Sequence, residues 1–315
     1  MKIVFMGCPQ FAVPSLEMLA KDSRFKLLSV YCMPDKPQGR GKKLEMTPIK
    51  RCAVELGIQV HTPFSFSKCP EEIAILADYQ PDYIVVVAYG LILPESVLKI
   101  PKIAAINLHA SILPSYRGPS PIHAAIINGD SHTGNTVMLM NKKMDQGDIL
   151  AVQKIEISES SSFSDLHDNL SLSGAKLLTD TLVDFSTGKI KPVQQDHSKA
   201  SYTKKITPET GKINFSEPAY VVERLVRALA PSPGAWFLSK NERIKIGKAL
   251  VLDDFSSAAP GNILSADTTK GLKISCGKNT VLEILSCQRP GKLMLPTKDF
   301  LRGYSFNLDE NLNCI

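Results

Sequence analysis

No apolar run in this chain approaches the roughly 20 residues that a membrane span requires, and Met1 to Phe5 enters a strand-like pattern at once, with no apolar h-region. A cytoplasmic protein without membrane contact is the expectation. The seven cysteines (Cys8, Cys32, Cys52, Cys69, Cys276, Cys287, Cys314) are odd in number and scattered, and they form no C-x-x-C pair. Neither a disulfide framework nor a zinc site is suggested, and they read as reduced, mostly buried thiols. Of the six histidines, His61, His123, His132, His167 and His197 lack metal-ligand spacing with acidic or thiol partners, so they read as packing or surface residues and no metal is expected. A dinucleotide fingerprint G-x-G-x-x-G is also missing: in Gly7-Cys8-Pro9-Gln10, where it would sit, only the first glycine is present. That counts against an NAD or FAD enzyme. There are no internal repeats and no low-complexity segments.

What remains is enough for a real core. With 315 residues, 43% of them apolar, the chain exceeds the usual size of one domain, and two globular units are expected. Charge divides unevenly between them. Residues 1 to 185 carry 18 Lys and Arg against 19 Asp and Glu, and residues 186 to 315 carry 19 against 12, giving −1 and +7. A cationic second half fits a polyanion partner, since phosphate neutralisation by Lys and Arg drives nucleic-acid affinity; a merely solvated surface fits it equally.

The first half alternates strand and helix. Lys2 to Gly7 is a short apolar run closed by glycine, and Phe11 to Ala20 has apolar residues at helical spacing. Strands follow at Lys26 to Cys32, Gln59 to Thr62 and Tyr83 to Ala88, with helices at Thr47 to Leu56 and Glu71 to Tyr79. Tyr83-Ile84-Val85-Val86-Val87-Ala88 is apolar without alternation, as befits a central parallel strand covered on both faces. A Rossmann-like, doubly wound, mostly parallel α/β sheet is expected, with its site at the carboxyl ends of the strands. Ala104 to Asn107 and Asn135 to Met140 read as further strands, Ser120 to Asn128 and Ser164 to Phe185 as helices. From Ser186 to Pro208 the chain is rich in Ser, Thr, Lys and Pro, so the expected domains are 1–189 and 208–315 with a linker at 190–207. Beyond it come a helix at Ala219 to Leu229 and strands at Ala235 to Leu238, Arg243 to Val251, Gly271 to Cys276 and Thr280 to Gln288. About five short strands with glycine-rich turns point to a small OB-like β-barrel, an architecture that includes nucleic-acid binders.

The chemistry concentrates in Asn107-Leu108-His109, in Ser111 to Gly118 and in Met144-Asp145-Gln146-Gly147-Asp148. Asn107 and His109 stand two apart at a strand end, so extended geometry puts both side chains on one face. An amide there can donate to a developing oxyanion, and an imidazole can donate or shuttle a proton. A lone Asn-x-His is also what a structural pair looks like. Asp145, in a glycine-containing loop after another strand, could orient His109 and a water. Ser111-Ile112-Leu113-Pro114-Ser115-Tyr116-Arg117-Gly118 is a loop fixed by a proline and closed by a glycine, suited to holding a flat ligand or simply to joining two elements rigidly. Pro34 to Leu44 holds four cations, Lys36, Arg40, Lys42 and Lys43, among 11 residues. Such a loop is exposed and attracts phosphate.

Taken together these motifs, with Ala88-Tyr89-Gly90-Leu91-Ile92-Leu93-Pro94 and the length of the second domain, resemble the 10-formyltetrahydrofolate-dependent formyltransferases over the whole chain. Two positions depart from the family pattern: Cys8 stands where Thr is common, and Ser120 where Ala is common. The resemblance implies that Asn107, His109 and Asp145 are catalytic and that no metal is needed. It implies folate contacts at Tyr89, Gly90, Leu91, Ile92, Leu93 and Pro94, at Ser111, Ile112, Leu113 and Pro114, and at Met140. The basic loop and cationic second domain single out, within that family, formylation of the methionine α-amine on initiator methionyl-tRNA, with Lys36, Arg40, Lys42 and Lys43 against the tRNA. A monomer is expected.

Other classes explain less. A nucleotide-cofactor oxidoreductase lacks its glycines, and a non-enzymatic RNA-binding module leaves Asn107, His109 and Asp145 without a role. The nearer competitor is a formyltransferase acting on a small amine such as an amino-sugar nucleotide, for which the basic loop would have no purpose. A formyl hydrolase using water could share the same residues.

Overall fold

Lys2–Gly7 (β1) is apolar on successive residues because both of its faces are covered, and Ile3, Val4, Phe5 and Met6 are all fully buried. The computed structural model describes residues 1–38 and 43–313. After β1 come α1 (Val13–Lys21), β2 (Lys26–Tyr31), a short hairpin of β3 (Lys36–Gln38) with β4 (Lys43–Glu45), α2 (Pro48–Glu55), β5 (Val60–His61), α3 (Pro70–Asp78), β6 (Tyr83–Val87) and α4 (Glu95–Leu98). They continue as β7 (Ala104–His109), α5 (Pro121–Asn128), β8 (His132–Leu139), β9 (Ile149–Glu156) and α6 (Phe163–Ser186). The opening of α2 is written locally: the Thr47 hydroxyl accepts from the Lys50 amide as N-cap, and Pro48 follows where its missing N–H costs nothing.

The sheet runs β5-β2-β1-β6-β7-β8-β9. Every pair from β5 to β7 is parallel, and β8 and β9 are added antiparallel at one edge. Val4, Met6, Ile84, Val86 and Ala105 form one cluster with Leu76 of α3 and Val97 of α4, which places those helices on one face. The alternate residues face α6, whose Leu182 carbonyl accepts a 3.1 Å hydrogen bond from the Tyr83 hydroxyl. The mostly parallel sheet expected from the alternation is therefore what forms. Strand β9 and the β3–β4 hairpin are additions that the sequence reading passed over.

Residues 1–121, 132–156 and 166–203 make one compact unit; residues 122–131, 157–165 and 204–315 make another. Within the second, α7 (Ala219–Leu229) leads into β10 (Ala235–Ser239), β11 (Glu242–Phe255), β12 (Ile263–Asp267), β13 (Gly271–Ser275), β14 (Thr280–Gln288), β15 (Leu295–Pro296) and α8 (Thr297–Phe300). All pairings are antiparallel, in the order β10-β11-β14-β13-β12 with β15 beside β14. Ile244, Ile246, Leu272 and Ile274 point into a core shared with Val222 and Val226 of α7, while Arg243, Lys245 and Lys273 lie on the other face. Among the described residues no helix is long and apolar enough to cross a membrane.

Candidate active site

Asn107 and His109 end β7, whose neighbours are parallel β6 and antiparallel β8. One Asn107 amide N–H donates to the Val86 carbonyl at 3.1 Å. Its Oδ1 is buried and has no hydrogen-bond partner among the described residues. His109 is 7% exposed. Its Nε2 lies 3.0 Å from the Tyr116 carbonyl, which can only accept, so that nitrogen carries a proton. Its Nδ1 faces Asp145 Oδ2 at 3.8 Å, a gap wider than a direct hydrogen bond.

Asp145 itself is tightly placed. Its carboxylate accepts from the Gly118 amide at 2.7 Å, and its backbone sits in the left-handed region at φ +54. Two residues on, Gly147 is the only residue type that fits: a Cβ there would stand 1.7 Å from the Leu139 carbonyl oxygen. The spacing Asp145-x-Gly147 is thus a packing demand as well as a chemical one. The structure brings Asn107, His109 and Asp145 to the end of the same strands, with Tyr116 and Gly118 closing the set from the Ser111 to Gly118 loop.

That loop is fixed by buried polar bonds. Thr136, on β8 and fully buried, donates to the Ser111 carbonyl at 2.6 Å and accepts from the Leu113 amide at 3.1 Å. The Ser111 hydroxyl donates to the Ser115 carbonyl at 2.6 Å. Residues 201–203 run alongside: Tyr116 N–H donates to the Ser201 hydroxyl, Arg117 N–H to the Ser201 carbonyl and Thr203 N–H to the Arg117 carbonyl. Gly118, at φ +104, leaves no room for a side chain, since a Cβ would lie 2.8 Å from the Thr203 carbonyl oxygen. Much of the segment expected as linker is therefore hydrogen-bonded to the first unit.

The other expected ligand residues divide by exposure. Tyr89 and Leu93 have their side chains in the core, and burial raises the Tyr89 phenol well above its ordinary range, its hydroxyl having no partner among the described residues. Ile92, 84% exposed, projects outward from the same turn, with Gly90 beside it at φ +85. Cys8 ties this turn to the ends of β1 and β2, its thiol donating to the Tyr89 carbonyl at 2.9 Å and accepting from the Met33 amide at 3.2 Å. Burial pushes that thiol up to about 11, so it serves as a neutral hydrogen-bonding group. Leu91, Pro94, Ile112, Pro114 and Met140 are half-buried, and Ser111 and Leu113 are buried. Lys36 is exposed on β3. Arg40 and Lys42 lie outside the described residues, and Lys43 begins β4. Among the described residues no group of three or more His, Cys, Asp and Glu is arranged to hold a metal ion.

Two functional candidates escaped the sequence reading. Gln195 donates from one amide nitrogen to the carbonyls of Asp145 and Gly147, at 3.0 and 2.7 Å. Arg117, in the loop that carries Pro114, is 1% exposed and holds Gln195 from behind. No local pattern links two residues 78 positions apart.

Comparison with known proteins places these features in context. A family model described as formyl transferase matches residues 1–182, and one described as formyl transferase, C-terminal domain, matches residues 205–305. The chain is 44% identical over 312 residues to a methionyl-tRNA formyltransferase of Clostridium novyi, covering 99% of this chain and all of that one. It is 41% identical over 305 residues to one of Caldanaerobacter subterraneus, covering 97% of each. Among solved structures, a sugar 3N-formyl transferase crystallised with dTDP and 5-N-formyl-THF superposes with TM-score 0.65 at 20% identity, over 93% of this chain and 99% of that one. An N-formyltransferase from Helicobacter canadensis, crystallised with folinic acid and dTDP-3-aminofucose, gives 0.66 at 20% identity, over 92% and 100%.

Proposed function

The chain belongs to the formyl transferase family and is an enzyme of that family, and from that premise we propose that it transfers the formyl group of 10-formyltetrahydrofolate to the α-amino group of methionine on initiator methionyl-tRNA. The observation that carries this reading is the 44% identity, along the full length of both chains, to a relative named for that acceptor. The sugar-directed enzymes, at 20% identity, share the fold. The +7 charge of residues 186 to 315 suits a tRNA acceptor.

Catalysis then follows from the residues at the end of β7. The amine attacks the formyl carbon, the carbonyl oxygen takes up negative charge, and the bond to N10 breaks as N10 gains a proton and the amine loses one. Asn107 spends one amide hydrogen on Val86 and offers the other to the oxyanion. The Tyr116 carbonyl fixes the ring of His109, leaving Nδ1 toward Asp145. A proton released by the amine passes through a water to His109 Nδ1, which lies 3.8 Å from the Asp145 carboxylate, and returns to N10. The exposed Ile92 and the half-buried Leu91, Pro94, Ile112, Pro114 and Met140 supply apolar surface for the folate rings.

The test is formyl transfer to methionyl initiator tRNA by the wild type and by Asn107→Ala, His109→Ala and Asp145→Asn. The expected result is transfer by the wild type and losses of at least about 100-fold in each variant, in line with the removal of an oxyanion donor or a general base. Wild-type rates in all three variants would remove these residues from the reaction.

A further inference from the structure

Arg117 has an unusual environment for a cation. Its side chain is 1% exposed, and its guanidinium touches Gln195 Oε1 twice (3.1 and 2.6 Å), the Tyr202 hydroxyl (2.9 Å) and His197 Nδ1 (2.8 Å). The face of Tyr202 lies 5.6 Å away. None of these partners is a carboxylate. Arginine does not shed its proton, and a buried charge contributes little to stability that a well-packed apolar side chain would not. The charge therefore calls for a role other than holding the fold.

Its connections converge on the two groups assigned above to proton transfer. The residue before it, Tyr116, lends its carbonyl to His109 Nε2, and the residue after it, Gly118, lends its amide to Asp145 Oδ2. Its own N–H and C=O are taken by Ser201 and Thr203, so the backbone at 116–118 is pinned from the opposite side. Its side chain grips Gln195, whose amide nitrogen spans the Asp145 and Gly147 carbonyls and so holds the turn that keeps Asp145 at positive φ.

We propose that Arg117 and Gln195 are positioning residues that lock the Asp145 turn and the Tyr116–Gly118 backbone together, setting the distance between Asp145 and His109. This rests on the reading that Asp145 takes part in the reaction. The orientation of the Gln195 amide is central: its oxygen faces a cation and its nitrogen faces two carbonyls, so the side chain is a directional bridge.

Gln195→Glu separates positioning from mere packing. The carboxylate keeps the Arg117 contact, and strengthens it, while losing both donors to the Asp145 turn. A purely structural role predicts a lowered melting temperature, since two carbonyls lose their donor, with wild-type kcat in the protein that stays folded. The positioning role predicts, beside that loss of stability, KM values for folate and tRNA within about threefold of wild type and kcat lowered by about 100-fold in the folded enzyme, the cost of misplacing a catalytic group by about 1 Å. Gln195→Asn, which fits the same space but cannot reach both carbonyls, is the second variant and should show the same loss. If either variant folds and keeps wild-type kcat, the proposal fails. Asp145→Asn in the same assay tells the two readings apart: wild-type kcat in Asp145→Asn refutes the site itself, whereas loss there with wild-type kcat in the Gln195 variants refutes only the lock.

Discussion

Replacing Gly147 by alanine adds a single methyl group, and the structure states where it would go: 1.7 Å from the Leu139 carbonyl oxygen and 2.7 Å from its carbon, both backbone atoms that cannot rotate aside. Ordinary contact begins near 3.4 Å, so strand β8 and the Asp145 turn must separate by about 1.7 Å. The turn is the softer of the two, because β8 is paired on both edges. Gln195 loses its hold on the Gly147 carbonyl, and Asp145 moves relative to His109 by more than the roughly 1 Å at which misplaced groups cost about two orders of magnitude. We expect kcat for formyl transfer to fall at least about 100-fold, a barrier increase of about 2.7 kcal/mol, with a stability loss of about 1–3 kcal/mol from the overlap. Steady-state transfer to methionyl initiator tRNA measures the first and thermal unfolding the second. Gly303→Ala, where a Cβ would meet nothing within 4 Å, is the control and should leave both unchanged. A Gly147→Ala enzyme with wild-type kcat would refute the claim that this turn sets the site.

Thr136→Val leaves the Ser111 carbonyl and the Leu113 amide buried without their partner, so unfolding free energy should fall by about 1–3 kcal/mol, and Thr136→Ser should restore it; calorimetry decides. Burial raises the thiols of Cys276 and Cys287 from an ordinary 9.0 to about 12, so the folded state keeps protons that the unfolded chain releases. That contribution to stability is complete below pH 9 and is lost as pH rises from 9 towards 12, by up to about 1.4 kcal/mol per pH unit for each thiol. The melting temperature should therefore drop more steeply above pH 9 in the wild type than in Cys276→Ala. Affinity for tRNA should weaken by about three orders of magnitude or more between 50 and 200 mM salt if six or so phosphates are neutralised, and filter binding across that range should show it. A flat salt response would remove the electrostatic argument.

Elements with a local cause were legible in the sequence. The uniformly apolar Tyr83 to Val87 could only be a strand covered on both faces, and Arg243-Ile244-Lys245-Ile246 alternates because one face meets the core. Strand β9, at the sheet edge, was missed because Ile149-Leu150-Ala151-Val152 does not alternate and three of the four residues from Gln153 to Glu156 are polar. Ile263–Asp267 was missed for a similar reason: Ser265 and Asp267 dilute its apolar signal. The segment near Gln195 was legible only as polar chain. What organises it is the buried guanidinium of Arg117, a contact across 78 residues that no spacing rule encodes. Asn107, His109 and Asp145 could be found because their residue types announce chemistry. Gln195 and Thr136, which hold other groups in place, carry no such mark until the chain is folded.

The acceptor is the heart of the account, and one comparison addresses it directly: kcat/KM for formyl transfer from 10-formyltetrahydrofolate to methionyl initiator tRNA against that for an amino-sugar nucleotide such as dTDP-3-aminofucose. The account predicts efficient transfer to the tRNA-bound methionine and none above background to the sugar. Efficient transfer to the sugar, with the tRNA inert, would leave the formyl-transfer site standing and contradict the acceptor.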